Sequence, residues 1–266
     1  MREAIGALPA PRWDEKLPAG WTLKEMVGHL AYWESTVPAF VDSLRTDTPR
    51  EAAGDVDAQN ARAAAEVRGL LPDEVLRRWD DAHSEMLEVA RGLTDAELAD
   101  DAFMKKFEDE TYGHYPDHYG DLAAAIKDED DLVAIVQTSW TGFRLAIGAI
   151  GVPSLDEKTS TGWTYKDLVA HVVGWMGQTV REMQTKEFST GWTQSTIQEF
   201  NDRSVRTHEL VGPEAMIDEL DTVYRRLVET VRGLAEGDVD EKIAGTMPYY
   251  TYLHWEEHFA ELGIPL

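Results

Sequence analysis

The chain contains no cysteine. That removes disulfide frameworks, thiolate metal sites and cysteine nucleophiles, and it agrees with a reducing compartment. Positive charge is scarce as well: 25 Lys and Arg stand against 50 Asp and Glu, for a net charge of −25 over 266 residues. Such a surface repels phosphate backbones and anionic lipid, which predicts neither a nucleic-acid nor a membrane partner. No uninterrupted apolar run is long enough to span a bilayer. The greasiest stretch, residues 130–153, is broken by Gln137, Ser139 and Arg144 and predicts a core helix. Residues 1–16 lack the apolar segment of a secretory signal, so the expected location is cytoplasmic. The sequence has no glycine-rich phosphate loop, dinucleotide fingerprint or serine nucleophile elbow. No segment alternates with period two for long enough to make a strand.

What is present is a repeat. "GWTLKEMVGHLAYW" from Gly20 and "GWTYKDLVAHVVGW" from Gly162 lie 142 positions apart. At that offset His29 falls on His171 and Trp33 on Trp175. Asn60 falls on Asn201 at an offset of 141, and His114 and His118 fall on His254 and His258 at 140. A drift of this kind is what small loop deletions produce, and such self-similarity marks a duplicated unit. The acidic run at 127–131 divides the copies, giving expected domains of 1–127 and 128–266. The second opens with a long helical stretch, about 131–149, of which the first retains only residues 2–8, so its first helix is expected to be a stub.

Within the second copy, Leu132, Ile135, Val136, Trp140, Phe143 and Ile147 recur at helical spacing, and Thr164 is a helix-capping residue type. Further helices are expected from near Ser195, and from Pro213 to about Arg232 with Met216, Ile217, Leu220, Val223, Leu227 and Val231 inward. A last helix holds His254 and His258. The predicted class is all-α: two tandem four-helix bundles.

Six of the eight histidines occupy matching positions. "HYPDH" and "HWEEH" each place two imidazoles at i and i+4, about one turn apart on a helix face. With a third imidazole from a facing helix they form a three-nitrogen set. Three neutral donors with an open position are a catalytic metal arrangement suited to Zn, Ni or Fe, with one or two ions per chain. The candidate ligands are His29, His114 and His118, and His171, His254 and His258. The bland reading is that these are packed, hydrogen-bonded core residues. Pro116 between His114 and His118 fits only a helix's first turn, placing a helix start near His114. The corresponding start in the second copy falls near Pro248, which favours the second site. His83 and His208 have no repeat partner and read as structural or surface residues.

Trp33 and Trp175, with Asn60 and Asn201, are candidate substrate contacts. The tryptophans could equally fill core, and the asparagines could instead hold a histidine tautomer. Trp21 and Trp163 read as staples or lids on the bundle. Tyr115, Tyr119, Tyr249, Tyr250 and Trp255 read as packing, and Glu256 and Glu257 as turned away from the histidines.

Together, the Gly-Trp-Thr turn, the following His and Trp, and the distal His-x-x-x-His resemble the DinB/YfiT-like four-helix-bundle superfamily. The segments "NAR", "NDR", "AHSEMLEVARGL" and "TYGHYPDHYGDL" resemble its ClbS/DfsB-like branch. The resemblance implies long-helix bundles with the histidines lining one end of a pocket. It also implies thiol-dependent transferases and isomerases using mycothiol or bacillithiol with a divalent metal, or hydrolases, and in the ClbS-like branch a metal-free opening of a strained ring. Two departures stand out. Mycothiol-linked isomerases tend to carry Glu where His114 and His254 stand, and the ring-opening type lacks the histidine kept here as His29 and His171. The expected function is a metal-dependent hydrolase or thiol transferase acting on a small electrophile, in detoxification or self-resistance, with a low-molecular-weight thiol as possible co-substrate. The alternatives are a small-molecule sequestering protein and a metal-free hydrolase. The fused repeats imply a monomer built as a pseudo-dimer, or a homodimer.

Overall fold

The structure, a computed structural model, describes residues 1–46, 48, 55–235, 237–259 and 261–263. Among these there is no strand; extended pairing is confined to two isolated bridges, Lys16 with Thr22 and Lys158 with Thr164. The fold is all-α. In chain order the helices are α1 (Arg2–Ala7), α2 (Leu23–Thr46), α3 (Val56–Val67), α4 (Pro72–Arg91), α5 (Asp95–Leu98), α6 (Asp101–Glu110) and α7 (Tyr119–Ala125). They are followed by α8 (Glu129–Ile150), α9 (Tyr165–Thr185), α10 (Gln194–Thr207), α11 (Pro213–Arg232), α12 (Glu241–Tyr250) and α13 (Tyr252–Glu257).

The chain divides into two compact units, Pro9–Ala125 and Ile126–Leu266, the latter joined by Met1–Leu8. This corrects the expected boundary at one point. Residues 1–8 belong with the second unit because α1 packs on α8, where Ala4 and Ile5 are fully buried. In the unit Pro9–Ala125, α2 packs against α3 and α4. In the other unit, α9 packs against α10 and α11, and α8 packs against α11 and α13.

Local chemistry sets these helices. Asp128 caps α8 by accepting from the Asp131 amide at 2.9 Å, and Gly151, at φ +78°, ends it. Leu132, Ile135, Val136, Trp140, Phe143 and Ile147 are all buried, as the periodicity predicts. α8 is long and apolar enough to cross a membrane by length and composition, but this packed face identifies it as a core helix. In α11, Met216, Leu220, Leu227 and Val231 are buried; Ile217 and Val223 are only half-buried, and Val228 turns inward as well.

The terminal segment of each unit departs from expectation. Neither His114 nor Pro248 marks a helix start. Instead the chain breaks at Thr111 and Thr251, whose φ/ψ of −130°/−118° and −134°/−106° are non-helical. Each threonine hydroxyl donates to the carbonyl four residues back, Phe107 O at 2.6 Å and Met247 O at 2.5 Å. Beyond the break, residues Tyr112–His118 form a 3₁₀ run, with Pro116 inside it, before α7 begins. In the second unit α13 begins at Tyr252, so His254 is its third residue and His258 its C-cap.

Gly28 lies where α2 meets α3: a Cβ there would stand 2.6 Å from Val67 Cγ2. In an open helix Gly→Ala gains roughly 0.5–1 kcal/mol. Overpacking against a short, stiff, buried valine costs about 1–3 kcal/mol. Gly28→Ala is therefore expected to lower stability, and urea unfolding should show an earlier midpoint with an unchanged slope.

Candidate metal centres

Both sites begin at the Gly-Trp-Thr turn. Gly20 and Gly162 adopt φ of +91° and +94°, the left-handed region that favours glycine. The turns close through Leu17 N–H donating to Trp21 O and Thr159 N–H donating to Trp163 O, each at 2.7 Å. The threonines then cap the helices. Thr22 Oγ1 accepts from Glu25 N at 3.1 Å while Glu25 Oε2 accepts from Thr22 N at 2.8 Å. Thr164 and Asp167 repeat the exchange at 3.0 Å each way. Two turns further on stand His29 and His171, both buried. Trp21 and Trp163 pack on these imidazoles, with ring centroids 4.9 and 5.0 Å away.

The break at Thr111 or Thr251 brings the second and third imidazoles up to the first. His29 Nε2 lies 3.1 Å from His114 Nε2, which lies 3.3 Å from His118 Nε2. In the other unit His171 Nε2 is 2.7 Å from His254 Nε2, which is 3.1 Å from His258 Nε2. All six predicted metal residues are thus brought together as the two predicted triads, each with its ligand atoms within 4.8 Å of one another.

The donor sets fit a metal ion. Nitrogens about 2.0–2.1 Å from one ion at near-tetrahedral angles stand roughly 3.4 Å apart, close to the observed separations. A neutral imidazole carries one N–H, so three Nε2 atoms facing each other cannot all be satisfied among themselves. Asp121 Oδ2 lies 3.0 Å from His118 Nδ1, and Glu261 Oε2 lies 3.4 Å from His258 Nδ1, the latter an ion-pair distance rather than a tight hydrogen bond. A carboxylate behind the ring holds the proton on Nδ1 and leaves Nε2 as a lone-pair donor. Sequence reasoning missed these carboxylates, although each follows its histidine by three residues in both copies.

Five of the six rings are pushed toward the neutral form. Burial pushes His29 down to about 3, the nearby His118 and His114 add to this, and Asn60 acts in the opposite sense. Burial likewise lowers His171 to about 3, helped by His258 and opposed by Asn201. Burial carries His254 well below its ordinary value and also lowers His114 and His258.

Asn60 and Asn201 accept from Trp33 Nε1 and Trp175 Nε1, each at 3.0 Å. They stand close enough to influence the histidines, but His29 Nδ1 and His171 Nδ1 close no hydrogen bond. Trp175 and Asn201 also line a cavity of about 580 Å³ that opens onto His171, His254 and His258. Trp192, Tyr249, Tyr250 and Glu257 line it too. Tyr249 and Tyr250 face this cavity as well as packing, and Glu257 faces it too rather than turning away from the histidines. Trp255 is fully buried. His83 pairs with the buried Glu34 at 3.3 Å, and His208 Nδ1 lies 2.6 Å from Ser204 O; both are structural.

Two predictions follow from this geometry. In chelator-treated protein the unfolded chain binds protons from about pH 6.5 downward, whereas folded His29 and His171 resist protonation to about 3. Between these limits the unfolded state holds more protons, so stability falls as pH falls. Melting temperature should decline from pH 7 to pH 5, and a flat profile would contradict the buried neutral histidines. Separately, Asp121→Asn and Glu261→Gln should each weaken metal affinity about 10–100-fold in competition with a chromogenic chelator.

Residues 1–121 match the family model of the DinB superfamily, and residues 123–258 match that of the mycothiol maleylpyruvate isomerase N-terminal domain. No curated protein and no solved structure matches the chain. The likeness to the ClbS/DfsB-like branch is carried no further by these matches. Since the second match spans just over half of a chain built as two tandem DinB-like domains, the protein belongs to the mycothiol maleylpyruvate isomerase N-terminal domain family.

Proposed function

We propose that the protein is a metal-dependent enzyme that uses a low-molecular-weight thiol, or water, against a small electrophilic molecule, in a detoxifying or self-protective role. The observation that carries this reading is the second triad: three imidazoles whose Nε2 atoms meet, one with Glu261 3.4 Å behind it, beside a half-open cavity of about 580 Å³. A divalent ion held there supplies Lewis-acid chemistry, lowering the pKa of a bound thiol or water. His171, His254 and His258 hold it, and Glu261 orients His258. Trp163 covers the His171 ring, and Trp175, Trp192 and Tyr250 give the cavity aromatic walls beside the triad. Asn201, anchored by Trp175, is placed to orient the substrate. The family name adds support for a thiol, since the relatives it describes are mycothiol-dependent. We take the chain to act as a monomer carrying both sites, in the cytoplasm.

The aromatic walls of the same cavity favour one alternative, a protein that binds a small molecule without changing it. The test is elemental analysis of freshly purified protein beside a His171→Ala/His254→Ala variant, with mass spectrometry of candidate electrophiles incubated with thiol. We expect up to two metal equivalents, loss of one in the variant, and loss of turnover with it. Binding without turnover would select the sequestering protein. Full turnover after metal removal would sink the proposal in favour of metal-free hydrolysis.

A further inference from the structure

The lining of the second-unit cavity is one-sided in charge. Its polar groups are the three triad imidazoles, Asn201, Thr246, two tyrosines and the Glu257 carboxylate; the rest is Trp175, Trp192, Ile197 and backbone at Gly245. Among the described residues no lysine or arginine lines it. Arg203 stands over Phe200, 5.3 Å from its centroid, but is not part of the lining. The walls are aromatic: Trp175 stacks with Tyr250 at 4.8 Å and meets Trp192 at 5.1 Å. Behind them Glu182 is buried, and its charge is felt at Tyr250.

We infer that this cavity takes a ring-containing, mostly apolar molecule that is neutral or positively charged, and that it rejects molecules bearing two carboxylates. The inference rests on the reading that the cavity beside the triad is the ligand site. A metal ion on three neutral imidazoles offers one place for an anionic group. A second carboxylate would face Glu257 or an aromatic wall, losing hydration without a compensating donor. A cation meets the reverse situation: aromatic faces attract it, and Glu257 pairs with it at the exposed rim. The chain's net charge of −25 adds the same bias at long range.

The test uses three naphthalene probes, the first two differing only in the polar group: 1-naphthylmethylamine, 1-naphthalenemethanol and 2,3-naphthalenedicarboxylate. Dissociation constants are measured by ligand-observed NMR titration on the full chain, as purified and after zinc loading, with bound metal assayed in the same samples. The expected order is amine, then alcohol, then dicarboxylate. The amine should bind at least about threefold tighter than the alcohol, and the dicarboxylate at least about tenfold weaker, from one rim charge in partly screened surroundings. Glu257→Gln should remove the amine's advantage, read as the ratio of the amine and alcohol dissociation constants within each protein. A dicarboxylate that binds as tightly as the alcohol would overturn the inference. So would an amine advantage that survives Glu257→Gln, or failure of all three probes to bind. The expected order in protein that takes up no metal would leave this inference standing while removing the metal-enzyme reading; bound metal with a reversed order would do the opposite.

Discussion

Three imidazole nitrogens held within 4.8 Å of one another, with neighbouring pairs 2.7–3.3 Å apart, form an arrangement that neither water nor a packed core produces unaided. Protonated rings would repel, and neutral rings cannot all donate into the same small space. The fold therefore has to enforce the meeting. The first ring is set by a capped helix whose start is fixed by a left-handed glycine and a reciprocal threonine–carboxylate exchange. The other two come from a segment released from helical geometry at Thr111 or Thr251. Much of the repeated motif becomes intelligible from this single demand. Glycine turns the chain, tryptophan covers the ring, threonine caps the helix, and histidine arrives two turns later.

The two units meet this demand in different surroundings. In the first, the second and third histidines sit on a 3₁₀ run, and a buried carboxylate stands nearby. Glu34 accepts from Trp79 Nε1 at 2.8 Å and from the Tyr115 hydroxyl, and its charge opposes the lowering of His114. The repeat position of Glu34 in the second unit is Met176, so this carboxylate has no counterpart there. The second triad opens onto a cavity lined by Trp175, Trp192, Tyr249 and Tyr250. Equal donor sets with unequal environments imply different affinities and different access, which is the expected fate of a duplicated site whose copies no longer share one task.

Features that repeat in the sequence were the legible ones. His29 with His171, the two His-x-x-x-His pairs and the Trp–Asn pairs were found because each occurs twice, and the long amphipathic faces of α8 and α11 announced themselves by period. Asp121 and Glu261 also occur twice, but carboxylates are so common in this chain that their spacing carried no contrast. The placement of α1 was hidden because six residues have no strong period, and only the apolar surface of α8 decides where Ala4 and Ile5 bury. The ends of the histidine segments were misjudged by relying on proline. The breaks fall at Thr111 and Thr251, each with its hydroxyl on the carbonyl four residues back, but Thr179 makes the same bond inside α9 without a break, so the residue type alone does not announce one.

The acidity of the chain and the neutrality of its sites belong to one design. A ligand set of three imidazoles contributes no formal charge, so a divalent ion bound there would keep its full charge toward a fourth ligand, with Asp121 or Glu261 one ring away and Glu34 or Glu257 nearby. A carboxylate in place of His114 or His254 would remove part of that charge at once. Keeping nitrogen at these positions therefore favours polarising chemistry over mere retention of the ion. The surrounding excess of carboxylates draws cations toward the protein and discourages anions from competing for the open position. In the second unit Trp175, Trp192, Tyr249 and Tyr250 give the cavity aromatic walls beside the triad, and on the metal-enzyme reading proposed above an ion at the triad would be where developing negative charge is stabilised.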